Sequence, residues 1–221
     1  MLPTKGLLFD LDGVLLDTEP LHGKAWKETA SSFGTTLNNN QLRLLQGRRR
    51  YDCAQQVKLW INKPIEISEI LKVHQPISKK FLSQATAIPG AKELVTWCHE
   101  NKFPIALVTS SGSSSLEAKA APHPWIDFFS IRVQGDDPSL SCGKPSPEPY
   151  LLGAKKLGIN PNECLALEDS LSGAKSAFDA GCKVWILKNE SNRDLIKENY
   201  GDSVSNPVHI DNLNKVLKLI N

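Results

Sequence analysis

Two carboxylates, Asp10 and Asp12, stand one residue apart at the end of a short apolar run, Lys5-Gly6-Leu7-Leu8-Phe9, and Gly13 follows them. A buried strand that ends this way delivers both acids to a carboxyl edge, where open α/β sheets bind their ligands. Acids this close repel, and a cation, most simply Mg²⁺, is needed to hold both ionised. Three further stretches carry complementary groups: Thr109-Ser110, Lys144 in Gly143-Lys144-Pro145, and Glu168-Asp169 in Leu167-Glu168-Asp169-Ser170. Asp10, Glu168 and Asp169 are hard oxygen ligands of the kind Mg²⁺ prefers, whereas Thr109 and Lys144 are donors suited to a phosphoryl oxygen. A carboxylate beside a metal-held phosphoryl group can attack phosphorus and form an aspartyl phosphate. A second acid two residues on can protonate the departing alkoxide and later deprotonate water.

Such residues meet only if their strands lie side by side and point the same way. After residue 88 short apolar runs alternate with helical patterns. Pro104 to Val108, a run within Phe128 to Val133, Cys164 to Leu167 and Val184 to Leu187 read as buried strands after the first. Helices are expected from Pro89-Gly90 through Trp97, from a capping box at Ser114-x-x-Glu117, from about Pro147 to Leu157, and from Ser172 to Ala180 with Gly181 as its stop. This rhythm predicts an α/β fold, a doubly wound parallel sheet with helices on both faces. Residues 19–85 break the rhythm with helical periodicity and no buried strand, which reads as an all-helical insertion. The core is then residues 1–18 and 86–221.

The chain has 221 residues, 40% of them hydrophobic, which suffices for a substantial core. A formal net charge of +2 provides no global field for nucleic acid or an acidic membrane, so an anionic ligand must be attracted locally. The five cysteines form no C-x-x-C pair and read as reduced thiols. The first residues suit neither a signal peptide nor a membrane span, and a cytoplasmic protein is expected.

Taken in order, Phe9-Asp10-Leu11-Asp12-Gly13-Val14, Leu107-Val108-Thr109-Ser110-Ser111, Gly143-Lys144-Pro145-Ser146-Pro147-Glu148 and Leu167-Glu168-Asp169-Ser170-x-x-Gly173 resemble the four motifs of the haloacid dehalogenase superfamily, in its phosphatase and β-phosphoglucomutase-like branch. The likeness extends over Asp17-Thr18-Glu19-Pro20-Leu21-His22 and Ala25-Trp26. It implies a Rossmann-like core with a helical cap, Asp10 as nucleophile, Asp12 as general acid/base, and Thr109 and Lys144 as phosphoryl binders. It also implies that Glu168 and Asp169 bind Mg²⁺ together with Asp10 and the Asp12 carbonyl. Ser110, His22, Gly47 and Arg50 are the expected substrate contacts. His22 reads equally as a proton shuttle or as a packing residue near the hinge. Adjacent helical residues diverge by about 100°, so Arg48, Arg49 and Arg50 cannot all face one ligand, and the resemblance implies that Arg50 is the one that reaches substrate.

Each stretch has a plainer reading in isolation: a solvated turn, a strand-end turn, an exposed loop, an acid pair at a helix start. A calcium loop fails at Val14, where that pattern wants another oxygen. Joint occurrence at successive strand ends favours the enzymatic reading. The expected function is a Mg²⁺-dependent phosphatase acting on a small phosphate ester, a sugar or polyol phosphate, and working as a monomer without nucleic acid or membrane partners. The alternatives are a phosphosugar mutase and a non-catalytic metal-binding relative. In the mutases that this branch resembles, a lysine and a Lys-Asn pair sit near the distal phosphate, where this chain has Gln46 and Gly112-Ser113. That difference favours water as the acceptor.

Overall fold

The computed structural model describes residues 3–45, 48, 50–188 and 208–220. Its centre is a six-stranded parallel sheet. The strands are β1 (Gly6–Phe9), β4 (Ile105–Val108), β5 (Ile131–Val133), β6 (Cys164–Glu168), β7 (Lys183–Leu187) and β8 (Val208–Ile210), in the order β5-β4-β1-β6-β7-β8. The chain steps outward from β1 to β4 and β5, then crosses back to β6 on the other side. The crevice above β1 is therefore the switch point at which open sheets bind ligands.

Side chains alternate across the sheet with the period of two that strands impose. Leu7, Phe9, Leu107, Leu165 and Leu167 bury one face against α5 (Ala91–Glu100) and the 3₁₀ turn Pro124–Phe128. Leu8, Ala106, Val108, Ala166 and Ile186 bury the other against α7 (Glu148–Leu157) and α8 (Leu171–Asp179). The central strands β1, β4 and β6 are thus covered on both sides, which is why they read in sequence as continuous apolar runs.

Two strands of two residues, β2 (Leu16–Asp17) and β3 (Thr86–Ala87), pair antiparallel and bracket residues 19–85. Between them lie α1 (Glu19–Ser32), α2 (Asn39–Arg43), α3 (Arg50–Trp60) and α4 (Ile67–Leu82), with a core of their own around Trp26, Leu37, Cys53, Val57 and Ile70. Helix α4 also packs on α6 (Ser113–Ala120), so it joins the helical unit to the sheet unit over the crevice.

Three details differ from the sequence reading. The sheet has a sixth strand, β8, and the pair β2–β3 was not foreseen; segments of two or three residues carry too little periodicity to register. The capping box at Ser114 does not form. Helix α6 starts at Ser113 after Gly112, and the Asp136 carboxylate accepts the Ser113 amide at 2.9 Å in its place. A short final helix, α9 (Asn214–Ile220), closes the described chain. No helix among the described residues is long and apolar enough to cross a membrane.

Candidate active site

Asp10 is the first residue beyond β1, and its amide is held by the Leu167 carbonyl of β6 at 3.0 Å. The backbone then turns at Gly13, whose φ is +77°, and a Cβ there would lie 1.9 Å from Asp169 Oδ2. Only glycine lets the β1 and β6 ends approach so closely. Gly173 serves the fourth motif similarly, since a Cβ on it would lie 1.8 Å from Glu168 Oε1.

Lys144 reaches into this cluster almost fully buried. Its ammonium donates to Asp10 Oδ1 at 2.7 Å, to Glu168 Oε1 at 2.6 Å and to the Val108 carbonyl at 2.9 Å. Burial opposes that charge, but the Asp10 and Glu168 carboxylates outweigh it and raise the lysine above its ordinary range. Glu168 is entirely buried, and both oxygens are occupied: Oε1 also accepts from Tyr150 Oη at 2.6 Å, and Oε2 accepts from the Ser170 hydroxyl at 3.2 Å.

Asp10, Glu168 and Asp169 place one carboxylate oxygen each within 4.8 Å of one another. Burial pushes Asp10 up to about 7, helped by the charges of Glu168 and Asp12 and resisted by Lys144. Burial likewise drives Asp169 well above the usual carboxylate range, with Asp10, Glu19 and Glu168 adding to the effect. One ammonium therefore leaves the cluster under-neutralised, and its all-oxygen donor set fits a hard divalent cation.

Asp12 lies in a different environment. Lys119, buried in α6, donates to Asp12 Oδ2 at 2.7 Å and to the Ser111 hydroxyl at 2.7 Å, and that hydroxyl donates to Asp12 Oδ2 at 3.0 Å. The Thr18 hydroxyl and the second Asp12 oxygen form a further close hydrogen bond. Burial works to raise Asp12, but the Lys119 charge and the His22 contact hold it well below the usual range.

Of the residues expected from sequence, Asp10, Asp12, Lys144, Asp169, Ser110, His22 and Arg50 line one cavity of about 450 Å³ between the sheet edge and helices α1 to α4. His22 Nε2 is 3.4 Å from Asp12 Oδ1. Thr109 and Glu168 sit behind the wall of this cavity, with Thr109 Oγ1 accepting from the Ser111 amide at 3.0 Å. Gly47 lies outside the described residues, as does Gln46. Sequence reasoning missed Lys119, Ser111, Thr18 and Tyr150. For Lys119 a signal existed: it follows Leu116 by three residues, on the buried stripe of α6, where a lysine needs an acid to face.

The family model described as haloacid dehalogenase-like hydrolase matches residues 4–181. The chain is 32% identical over 184 residues to a protein of Drosophila melanogaster named as a probable pseudouridine-5′-phosphatase, covering 81% of this chain and 80% of that one. It is 28% identical over 177 residues to the fructose-1-phosphate phosphatase YqaB of Escherichia coli, covering 80% and 92%. Among solved structures, a HAD hydrolase of Entamoeba histolytica superposes with a TM-score of 0.81 at 23% identity over 98% of both chains. A β-phosphoglucomutase of Clostridium difficile superposes with a TM-score of 0.78 at 21% identity, over 99% of this chain and 97% of that one. With its four motifs gathered at one sheet edge and the family match running from β1 through the helical insertion to the end of α8, the chain belongs to the haloacid dehalogenase-like hydrolases.

Proposed function

We propose that the protein is a Mg²⁺-dependent phosphatase that hydrolyses a small phosphorylated metabolite through an aspartyl phosphate on Asp10. It is a phosphoric monoester hydrolase of a family in which its relatives are named as a probable pseudouridine-5′-phosphatase, a fructose-1-phosphate phosphatase and a phosphorylated carbohydrates phosphatase. The observation that carries the reading is that Asp10, Asp12 and Lys144 open onto one cavity beside a carboxylate cluster. Residues 19–85 are proposed to act as the cap that closes this cavity, and the five unpaired cysteines favour a cytoplasmic setting.

Asp10 Oδ2, the oxygen not engaged by Lys144, attacks phosphorus, and the bond from phosphorus to the ester oxygen breaks. Water then attacks the acyl phosphate, and Asp12 takes its proton. Lys119 keeps Asp12 ionised and so free to receive this proton, although the same charge lowers its affinity for it. Protonating the departing alkoxide is the harder task, since the same ammonium opposes the proton that Asp12 must first acquire. Lys144 orients Asp10 and Thr109 holds the strand end. A Mg²⁺ ion held by Asp10, Asp169 and the Asp12 carbonyl, with Glu168 beside them, would offset the charge of the phosphoryl oxygens.

The test is inorganic phosphate release from pseudouridine 5′-phosphate, fructose 1-phosphate and glucose 1-phosphate, with Mg²⁺ and with excess chelator, for the wild type and Asp10→Asn. Mg²⁺-dependent release that Asp10→Asn abolishes is expected. Near-native turnover by Asp10→Asn would overturn the mechanism. Conversion of glucose 1-phosphate to glucose 6-phosphate with little free phosphate would favour the mutase.

A further inference from the structure

Glu19 opens α1, just beyond the strand β2, and is half-buried in the wall of the cavity. An acid in the first turn of a helix commonly serves the positive end of the dipole and is met by water. Here the carboxylate stands inside the cavity, and none of the described groups donates a hydrogen bond to it. Burial raises its carboxyl above the ordinary value, against the pull of His22 and with the push of Asp12. Its own charge reaches Asp169 on one side and Cys53 of α3 on the other. Glu19 therefore lies where the reacting end of the cavity meets the helical wall, near the acid that serves the ester oxygen.

The other polar side chains of this wall are of a different kind. Arg48 and Arg50 only donate, Tyr51 and Gln75 can do both, and His22 faces Asp12 at 3.4 Å. Among the described cavity residues of the helical unit Glu19 is the one carboxylate, and a carboxylate only accepts. An ionised phosphate has no hydrogen to give it and is repelled, so the group that meets Glu19 comes from the alcohol half of the ester. With phosphorus on Asp10 and the ester oxygen toward Asp12, the next polar group in line is the one on the carbon bonded to the ester carbon. An ammonium there would also face Lys119, whose charge Glu19 feels. A hydroxyl meets no such opposition and supplies the missing donor.

We propose that Glu19 is a specificity-determining residue: its carboxylate accepts a hydrogen bond from a hydroxyl on the carbon next to the ester carbon, so the protein selects phosphate monoesters that carry that vicinal hydroxyl over those that lack it. The proposal rests on the phosphatase reading for the seat of phosphorus on Asp10.

Two matched pairs of probes differ only in that hydroxyl: glycerol 3-phosphate against 1,3-propanediol monophosphate, and glucose 1-phosphate against 2-deoxyglucose 1-phosphate. Each is measured by kcat/KM on the wild type and by calorimetric binding to Asp10→Asn, which needs no turnover. In at least one pair the hydroxylated member should be preferred by about tenfold or more, the loss that follows a missing hydrogen bond to a charged group. Glu19→Met removes the acceptor and should bring that preference within about twofold by weakening the hydroxylated member. Glu19→Gln keeps one accepting oxygen and should retain an intermediate preference. Equal handling within both pairs, no binding of any of the four esters, or a preference that survives Glu19→Met would overturn the assignment. So would Glu19→Met weakening both members alike and abolishing the Tm gain on adding Mg²⁺, the result of a role in the shell of the cation. If binding discriminates but no ester is hydrolysed, the role of Glu19 stands and the phosphatase reading falls.

Discussion

Replacing Lys119 by Met keeps the length of the side chain and removes its charge from the hydrogen bonds to Asp12 and Ser111. Removing one partner of a buried ion pair costs about 3–5 kcal/mol, because the other charge is left uncompensated. Lys119 is fully buried, but the Asp12 side chain is 20% exposed and retains Thr18 and Ser111 as donors, so the lower end applies, about 3 kcal/mol. At ~2–4 °C per kcal/mol for a chain of this size, Tm should fall by roughly 6–12 °C. The pH dependence has a definite sign. Asp12 is held below its ordinary value, so its contribution is present above the unfolded carboxylate value of about 3.9 and is lost as pH falls through the depressed folded value. Scanning calorimetry in chelator at pH 7, 5 and 3 should therefore show the full gap between wild type and variant at pH 7 and a closing gap at pH 3. A Lys119→Met protein that melts within about 2 °C of wild type at pH 7, or a gap that persists unchanged into acid, would refute the reasoning. Asp12→Asn and the double variant complete the cycle that isolates the pair from the packing of the methionine.

Metal binding should itself depend on pH. Asp10, raised to about 7, holds a proton in the folded metal-free protein between roughly pH 4 and 7, and stability at this group falls as pH rises through that range. A cation must displace that proton, so the gain in Tm on adding Mg²⁺ should be larger at pH 7.5 than at pH 5, and equal gains would contradict it. Gly173→Ala should drive a methyl into Glu168, which Lys144 and Tyr150 pin in place; a loss of about 1–3 kcal/mol and of Mg²⁺-dependent activity is expected, and a variant with native melting and turnover would show that Glu168 yields.

The strands that carry chemistry were legible because parallel strands covered on both faces must be apolar throughout, and each of β1, β4 and β6 ends where that run meets polar residues. The helical insertion was legible from its period. What escaped were elements too short to show a period, β2, β3 and β8, and side chains whose role depends on a partner distant in sequence. Lys119 meets Asp12 across 107 positions, and its place on the buried stripe of α6 calls for an acid without naming which one. The expected start of α6 failed for a related reason: Ser113 finds its cap in Asp136, 23 residues on, so the nearer Glu117 is not used.

Glu168 and Asp169 show how adjacency in sequence conceals a division of labour. Both are acids at the end of β6, and by type either could face a cation. Glu168 is the last residue of β6, however, and Asp169 lies just past the strand's end, where the two side chains part. Asp169 faces the cavity, whereas Glu168 turns into the protein and meets Lys144, Tyr150 and Ser170. The buried glutamate thereby anchors the lysine that orients Asp10, and Gly173 leaves the space in which it does so. The fourth motif thus serves the site in two ways, through the charge that Asp169 presents and through the position that Glu168 imposes on Lys144. Which acid does which is set by where β6 ends and by Tyr150 on α7, 18 residues earlier in the chain.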